Sequence, residues 1–505
     1  MADAPTVRFR EEDQTFTPQT EEGMILAYLC TAQRGPTTEL EDGPVELKSD
    51  GDVDRHLGLK TSALLAVEDV KYMIGKGATV KAIVVRGTGS AVASVGLEDS
   101  GAVACLTVSA KNPGVWGNSL AVTITDDPSD AVNYYKVSIA YSLQAELNET
   151  YEHVSMDPSS RYYVEYLIND VSNLVAVEAL TANRPANVAS SSPVGGLDGV
   201  TPTAANYQSA MALFSSDTEL THLGWFCTEV IEGEVWSYAT TYAEARGEIF
   251  APEVVPPLYT PTQGVSFRQG AGGYGFADID SSFTNCIYGG PKIRQQGSYG
   301  AQPTSAKAYV LGQYAVKMRT GFPWLEVAGV EDGLIPGALG IQYNVFGTAD
   351  ADTFADEQIS PIIWDTSKRK AYIKDILTCQ KAPTQLQFSG VREGVNWIKR
   401  RFRYHAADIM FKPNDPVSWK LLYRRMLTDL NSASANRGLD GFEGDGWQYT
   451  GDQDALTRQQ ATFNSQADLI QGKYKVAVYM VWINAIRDIT LTAVLTKSSI
   501  EFIEE

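Results

Sequence analysis

Apolar and polar positions change period from block to block along the 505-residue chain. The first 22 residues set Glu11, Glu12, Asp13, Glu21 and Glu22 among few apolar positions, which predicts an exposed arm. Residues 24–30 then form a short, nearly unbroken apolar run that stops at the Gly35-Pro36 turn, the pattern of a strand covered on both faces. In 62–74, Leu64, Leu65, Val67, Val70 and Ile74 recur at helical spacing, and past Gly75 and Gly77 the run 82–85 predicts a second buried strand. The order repeats with a helix near 204–214, a strand at 220–227, a helix near 235–246 and an apolar run at 249–255. Strand and helix in alternation predict an α/β layer whose helices cover a largely parallel sheet.

Between the two halves of that layer, residues 88–199 are rich in Val, Thr, Ser and Tyr with frequent turn residues, which predicts an inserted, mainly β domain. A second, α+β domain is placed at 351–486. Its best-defined element is a helix over 415–430, with Asp415 as its cap, Pro416 in the first turn, and Trp419, Leu422, Met426 and Leu430 as one apolar stripe. A strand is expected at 473–483. Alternation of Ile489, Leu491, Ala493 and Leu495 with polar or β-branched neighbours, and the extended pattern of 499–505, make 487–505 a terminal strand or arm. The expected layout is an arm (1–22), an α/β region (23–350) carrying the insertion, an α+β domain (351–486) and a second arm (487–505).

Composition narrows the classes. At 44% hydrophobic residues the chain can build about three ordinary cores. No stretch reaches the roughly 18 apolar residues of a membrane helix, so no membrane insertion is expected, and the start 1–5 lacks the regions of a signal peptide, which predicts synthesis in a cytoplasm. The net charge is −20, yet residues 366–428 hold 14 Lys and Arg against four acids, so this window is +10 and the remainder about −30. Within the window, 399–403 joins Lys399, Arg400, Arg401 and Arg403 around Phe402. That cluster suits a docking face for an acidic protein better than a nucleic-acid patch, because phosphate binding disfavours so acidic a chain.

Catalytic and metal motifs are missing. Gly270, Gly272 and Gly275 have dinucleotide-loop spacing but neither the preceding strand nor the following helix, and Asp50, Asp52 and Asp54 start like a calcium loop whose glycine and final glutamate are absent, which leaves a solvated turn. His56, His153, His222 and His405 show no zinc spacing, and there is no nucleophile elbow or phosphate loop. No cofactor, metal or enzymatic activity is expected. The cysteines Cys30, Cys105, Cys227, Cys286 and Cys379 lie far apart and read as buried thiols; their odd number also leaves disulfides between subunits open.

Several segments, in order, resemble the contractile tail sheath proteins of bacteriophages: 27–36 (Ala-Tyr-Leu-Cys-Thr-Ala-Gln-Arg-Gly-Pro), Val84-Val85-Arg86, 112–118 (Asn-Pro-Gly-Val-Trp-Gly-Asn), 195–199 (Gly-Gly-Leu-Asp-Gly) and 411–419 (Phe-Lys-Pro-Asn-Asp-Pro-Val-Ser-Trp). The N-terminal arm and 302–306 match that family less well. The resemblance implies a structural subunit in six-membered rings stacked helically around a tail tube. Such a lattice contracts to drive the tube through a bacterial envelope, with the tube, baseplate and tail terminator as partners and no nucleic acid bound. It implies assembly in a host cytoplasm and residence in a virion; the sheath of a headless injection particle is the alternative. It further implies an outer α/β region, an inner, tube-facing domain, and arms that add strands to neighbouring subunits. The donors would lie near Val7, Phe9 and Phe16 and near Ile500, Phe502 and Ile503, with 473–483 in the receiving sheet. The tube-facing candidates would be Lys399, Arg400, Arg401, Arg403, Arg424 and Arg425.

Overall fold

The structure is a computed structural model. It describes residues 24–37, 43–59, 66–216, 225–228, 233–247, 250–274, 276–294, 300–319, 322–345, 347–445, 470–474 and 476–485. The arm residues Val7, Phe9, Phe16, Ile500, Phe502 and Ile503, the alternating segment 489–495, and His222 lie outside these ranges. Two compact units are present, one holding described residues up to 323 together with Val327–Ala382, the other Trp324–Glu326 and described residues from 383 onward.

The first unit is built on Ile25–Cys30, which pairs in parallel with Trp225–Thr228 on one side and Thr79–Val84 on the other, with Val45–Leu47 antiparallel at the edge. Ala27, Leu29, Ile83 and Val85 pack against Tyr207, Met211 and Phe214 of helix Ala204–Ser216 and against Val235, Ala239 and Ala243 of helix Gly233–Arg246. Leu26 to Cys30 are all enclosed, which is why this strand reads as a continuous apolar run without alternation.

A bridge from Trp225 to Phe250 leads on to a second parallel set, Ala251–Val254, Thr284–Tyr288 and Ile359–Asp365, extended antiparallel by Lys370–Ile373 and Leu334–Ile335. Residues 359–373 therefore belong to the first unit, and the units part at 382/383 rather than 350/351. The ladder from Cys286–Tyr288 to Ile359–Pro361 decides this, a pairing between segments more than 70 residues apart that no local pattern announces.

One further expectation changes, and one is met. Residues Asp50–His56 are a helix rather than a solvated turn: Ser49 Oγ accepts from Asp52 N (3.2 Å) and Asp52 Oδ2 accepts from Ser49 N (3.0 Å), a reciprocal cap that explains the acidic start. The Gly270–Gly275 spacing follows helix Pro261–Arg268 instead of a strand, and beyond it Asp278 and the Ile279 carbonyl receive the buried Arg268 guanidinium at 2.8 and 2.7 Å.

Within this unit, residues 90–198 form the insertion. Strands Ser94–Glu98, Ala104–Ala110 and Val175–Ala179 make one antiparallel sheet, and Leu120–Asp126, Tyr135–Tyr141, Glu149–Val154 and Val188–Ser191 another. They share a core that includes Leu106, Val108, Val122, Ile124, Val137 and Ile139.

Four of the segments that carry the family resemblance meet where the insertion joins the α/β layer. Arg34 is buried; its Nη2 donates to the Asp54 carbonyl (2.7 Å) and to Gln144 Oε1 (3.2 Å), and its guanidinium lies 5.7 and 5.2 Å from the ring centroids of Trp116 and Tyr141. Arg86 donates to Asp198 Oδ1 (2.9 Å) and to the Gln33 carbonyl (2.7 Å), while Asn118 and Gly196 exchange two hydrogen bonds at 3.0 and 2.9 Å. Gly114 sits among them at φ +138, where a Cβ would lie 3.0 Å from Asp198 Oδ1 and 3.1 Å from Arg86 Nη2, so glycine is required. These segments build a neck that fixes the insertion on the layer.

Candidate assembly surface

The second unit is small: two long helices, Ser389–Ala407 and Pro416–Ala435, and a two-stranded antiparallel hairpin of Leu439–Asp445 with Ala477–Trp482. The second helix starts as its sequence predicts. Asp415 Oδ1 accepts from Ser418 N (2.9 Å), Pro416 occupies the first turn, and Asn414 Oδ1 accepts from Trp419 Nε1 (2.7 Å). Trp419, Leu422, Met426 and Leu430 are all buried.

The helices run antiparallel, held by polar pairs. Asp429 takes Arg401 Nη2 on Oδ1 (3.1 Å) and His405 Nε2 on Oδ2 (2.7 Å), and Arg425 reaches Asp408 at 2.6 Å. Three tryptophans fill the rest of the unit. Trp324 meets Trp397 edge-on at 5.4 Å and Trp482 at 6.4 Å, and donates from Nε1 to the Asn436 carbonyl (3.1 Å). A Cβ at Gly394 would lie 2.3 Å from the Trp482 ring, so that glycine makes room for the indole.

One face of the first helix is polar yet enclosed. Ser389, Arg392, Glu393 and Asn396 are all nearly inaccessible, and neither carboxylate oxygen of Glu393 has a hydrogen-bond partner among the described residues. Burial pushes the Glu393 carboxyl up to about 8, with Arg400 and Arg392 only partly opposing, and burial brings the Arg392 guanidinium down to about 10.

Two parts of this unit are unfinished. The hairpin has two strands among the described residues, and Tyr479, Val481 and Ile483 are exposed at alternate positions along it. An isolated hairpin of this kind is marginal alone and is completed by further strands. The connection between the helices and the first turn of the second are the other part, with Met410, Phe411 and Val417 all exposed.

No protein-family model matches the chain, and no curated protein matches it by sequence. Solved structures do match. A sheath tail protein from Listeria innocua superposes with a TM-score of 0.60 at 14% identity over 84% of this chain and 87% of that one. The contracted helical sheath of the anti-feeding prophage aligns over 98% of this chain and 99% of its own (TM-score 0.52, 10% identity). The contracted sheath complex of PVC, an extracellular contractile injection system, aligns over 98% of each (TM-score 0.52, 11% identity). The chain has the sheath-protein fold. Each of these three is a sheath protein.

Within this sheath fold the basic candidates divide. Arg401 and Arg425 are held by Asp429 and Asp408 of the same unit, Arg400 is partly buried, and Lys399, Arg403 and Arg424 are exposed. The +10 window is itself split between the units, with nine of its Lys and Arg and three of its acids in the second. Cys30, Cys105, Cys286 and Cys379 are buried thiols, so a disulfide to another subunit through any of them would have to bring the sulfur to the surface; the Cys227 side chain lies outside the description. Among the described residues no group of three metal-ligating side chains occurs, and no helix is long and apolar enough to cross a membrane. The exposed tip at Met410 and Phe411, the enclosed Glu393 and the role of Arg34 escape a reading by periodicity, because each places its residue type against the usual preference.

Proposed function

We propose that this chain is the subunit of a contractile tail sheath, polymerised as stacked six-membered rings around a tail tube and anchored at a baseplate and a terminator. Contraction of that lattice drives the tube through a bacterial envelope. Likeness to sheaths over nearly the whole of both chains supports this reading best. The subunits assemble in the host cytoplasm and function in the virion.

In this reading the hairpin of the second unit receives strands from other subunits, donated near Val7, Phe9 and Phe16 and near Ile500, Phe502 and Ile503. A strand making about four main-chain hydrogen bonds contributes about 2–6 kcal/mol per joint. Lys399, Arg403 and Arg424, with Arg400, Arg401 and Arg425 behind them, face an acidic tube through contacts of about 0–1 kcal/mol each, weak enough to release.

Negative-stain electron microscopy of the chain expressed alone tests the proposal. Tubes or stacked rings are expected, and deletion of 499–505 should prevent or weaken them. Tubes that persist unchanged after that deletion would sink the strand assignment. A second reading, the sheath of a headless particle, is favoured by the match to an extracellular injection system. Particles purified through this sheath contain capsid and DNA on the first reading and neither on the second.

A further inference from the structure

The connection between the long helices of the second unit presents apolar side chains to solvent from an ordered scaffold. Phe411 is 101% exposed, Val417 76% and Met410 63%, and Leu421 lies one helical turn beyond Val417 at 36%. The loop does not hang loose. Ile409 N and Met410 N both donate to the Ala406 carbonyl at 3.0 Å, Lys412 N donates to the Ile409 carbonyl at 3.0 Å, and Arg425 ties Asp408 at 2.6 Å. Phe411 itself adopts φ +65, a left-handed conformation that bulky residues rarely take, and that geometry carries the ring outward. A fully exposed phenylalanine held in such a conformation gives the isolated subunit no packing in return.

The surroundings of the tip are basic. Lys412 and Arg424 are exposed beside it, while of the three acids between 383 and 428, Asp408 is paired with Arg425, Asp415 caps its helix and Glu393 is buried. The complementary charge is plentiful in the chain itself, which carries about −30 outside 366–428. We infer that Met410, Phe411, Val417 and Leu421 form a docking knob that seats in an acidic, apolar-lined surface of a second copy of this chain. This contact is separate from strand exchange: it uses side chains where the hairpin uses main chain, and apolar burial within a complementary field supplies both affinity and register. It rests on the assembly reading above.

The test uses the full chain, followed by sedimentation and negative stain across protein concentration, with Phe411→Ser, the double variant Met410→Ser/Phe411→Ser, and Phe411→Leu. Because these side chains are exposed, all should melt like the wild type. The concentration needed for polymer should rise about tenfold or more for Phe411→Ser, further for the double variant, and return most of the way with Phe411→Leu. Polymerisation of Phe411→Ser at the wild-type concentration overturns the inference while leaving the assembly reading intact. Normal polymers that no longer retain a tail tube protein also overturn it, by making the tube the occupant. A wild-type chain that stays monomeric at every concentration overturns the assembly reading and this inference with it.

Discussion

The neck of the first unit and the helical hairpin of the second both use arginine, tryptophan and glycine, to opposite ends. In the neck the arginines reach partners inside the subunit: Arg34 Nη2 has the Asp54 carbonyl and Gln144, with its guanidinium over Trp116 and Tyr141, and Arg86 has Asp198 and the Gln33 carbonyl, while Arg34 Nε and Nη1 and Arg86 Nε are buried without a hydrogen-bond partner among the described residues. In the second unit a Trp core is surrounded by features left open among the described residues, namely an exposed alternate row at Tyr479, Val481 and Ile483 and an apolar tip at Phe411. One region is finished by folding; the other calls for partners. Changes in the neck should therefore act on stability, and changes on the open surface on association.

The sharpest test of that division is Arg34→Ala. It removes two hydrogen bonds and two cation–π contacts from a buried site and leaves Gln144 without its donor. The expected loss is about 3–4 kcal/mol, read as a fall in the denaturation midpoint, whereas Phe411→Ser should not move that midpoint. Equal effects from the two would erase the distinction. Gly394→Ala comes next. Its Cβ would press on the Trp482 indole, and about 1–3 kcal/mol should be lost by the second unit, seen as reduced protection of its amides from hydrogen exchange.

Much of the fold was legible where a local signal existed. The run at 24–30, the helices near 204–214 and 235–246, and the Asp415-Pro416 helix start all follow from spacing and caps, and each appears. The expected boundary at 350/351 differs from the division at 382/383 because the partner of Ile359–Asp365, Thr284–Tyr288, is distant in sequence. The first long helix was not predicted: Ser389, Arg392, Glu393 and Asn396 are enclosed alongside Val391, Trp397 and Ile398, so polar residues interrupt the apolar pattern that would be sought. The tip was missed for the converse reason: Met410 and Phe411 are apolar, and nothing in their spacing marks them as exposed. The basic cluster at 399–403 was visible, but the pairing of Arg401 depends on Asp429, which only the antiparallel helix packing brings alongside.

Glu393 extends the comparison, as a buried group of the second unit with no hydrogen-bond partner among the described residues. Burial pushes its folded pKa up to about 8 from the ordinary 4.5, so between these values the folded state holds a proton that the unfolded state has lost. Stability must then fall as pH rises from about 4.5 to about 8 and level off beyond. Glu393→Gln keeps the shape without the ionisation, and should remove that slope and raise stability at pH 8 by on the order of 2 kcal/mol. Parallel pH dependence of the melting temperature in wild type and variant would show that the carboxyl is answered after all.

The smallest effect on folding should come from reversing the exposed cations, Arg403→Glu with Arg424→Glu. Neither side chain is buried, so stability should change by less than about 0.5 kcal/mol. Association is where the change should register. If the basic face grips an acidic tube, the wild-type interaction weakens steeply with salt and the double variant binds about tenfold more weakly at low salt, with the difference closing as salt is added. A salt-independent loss would instead point to a contact made by shape, and would move the grip from the charges to the apolar tip beside them.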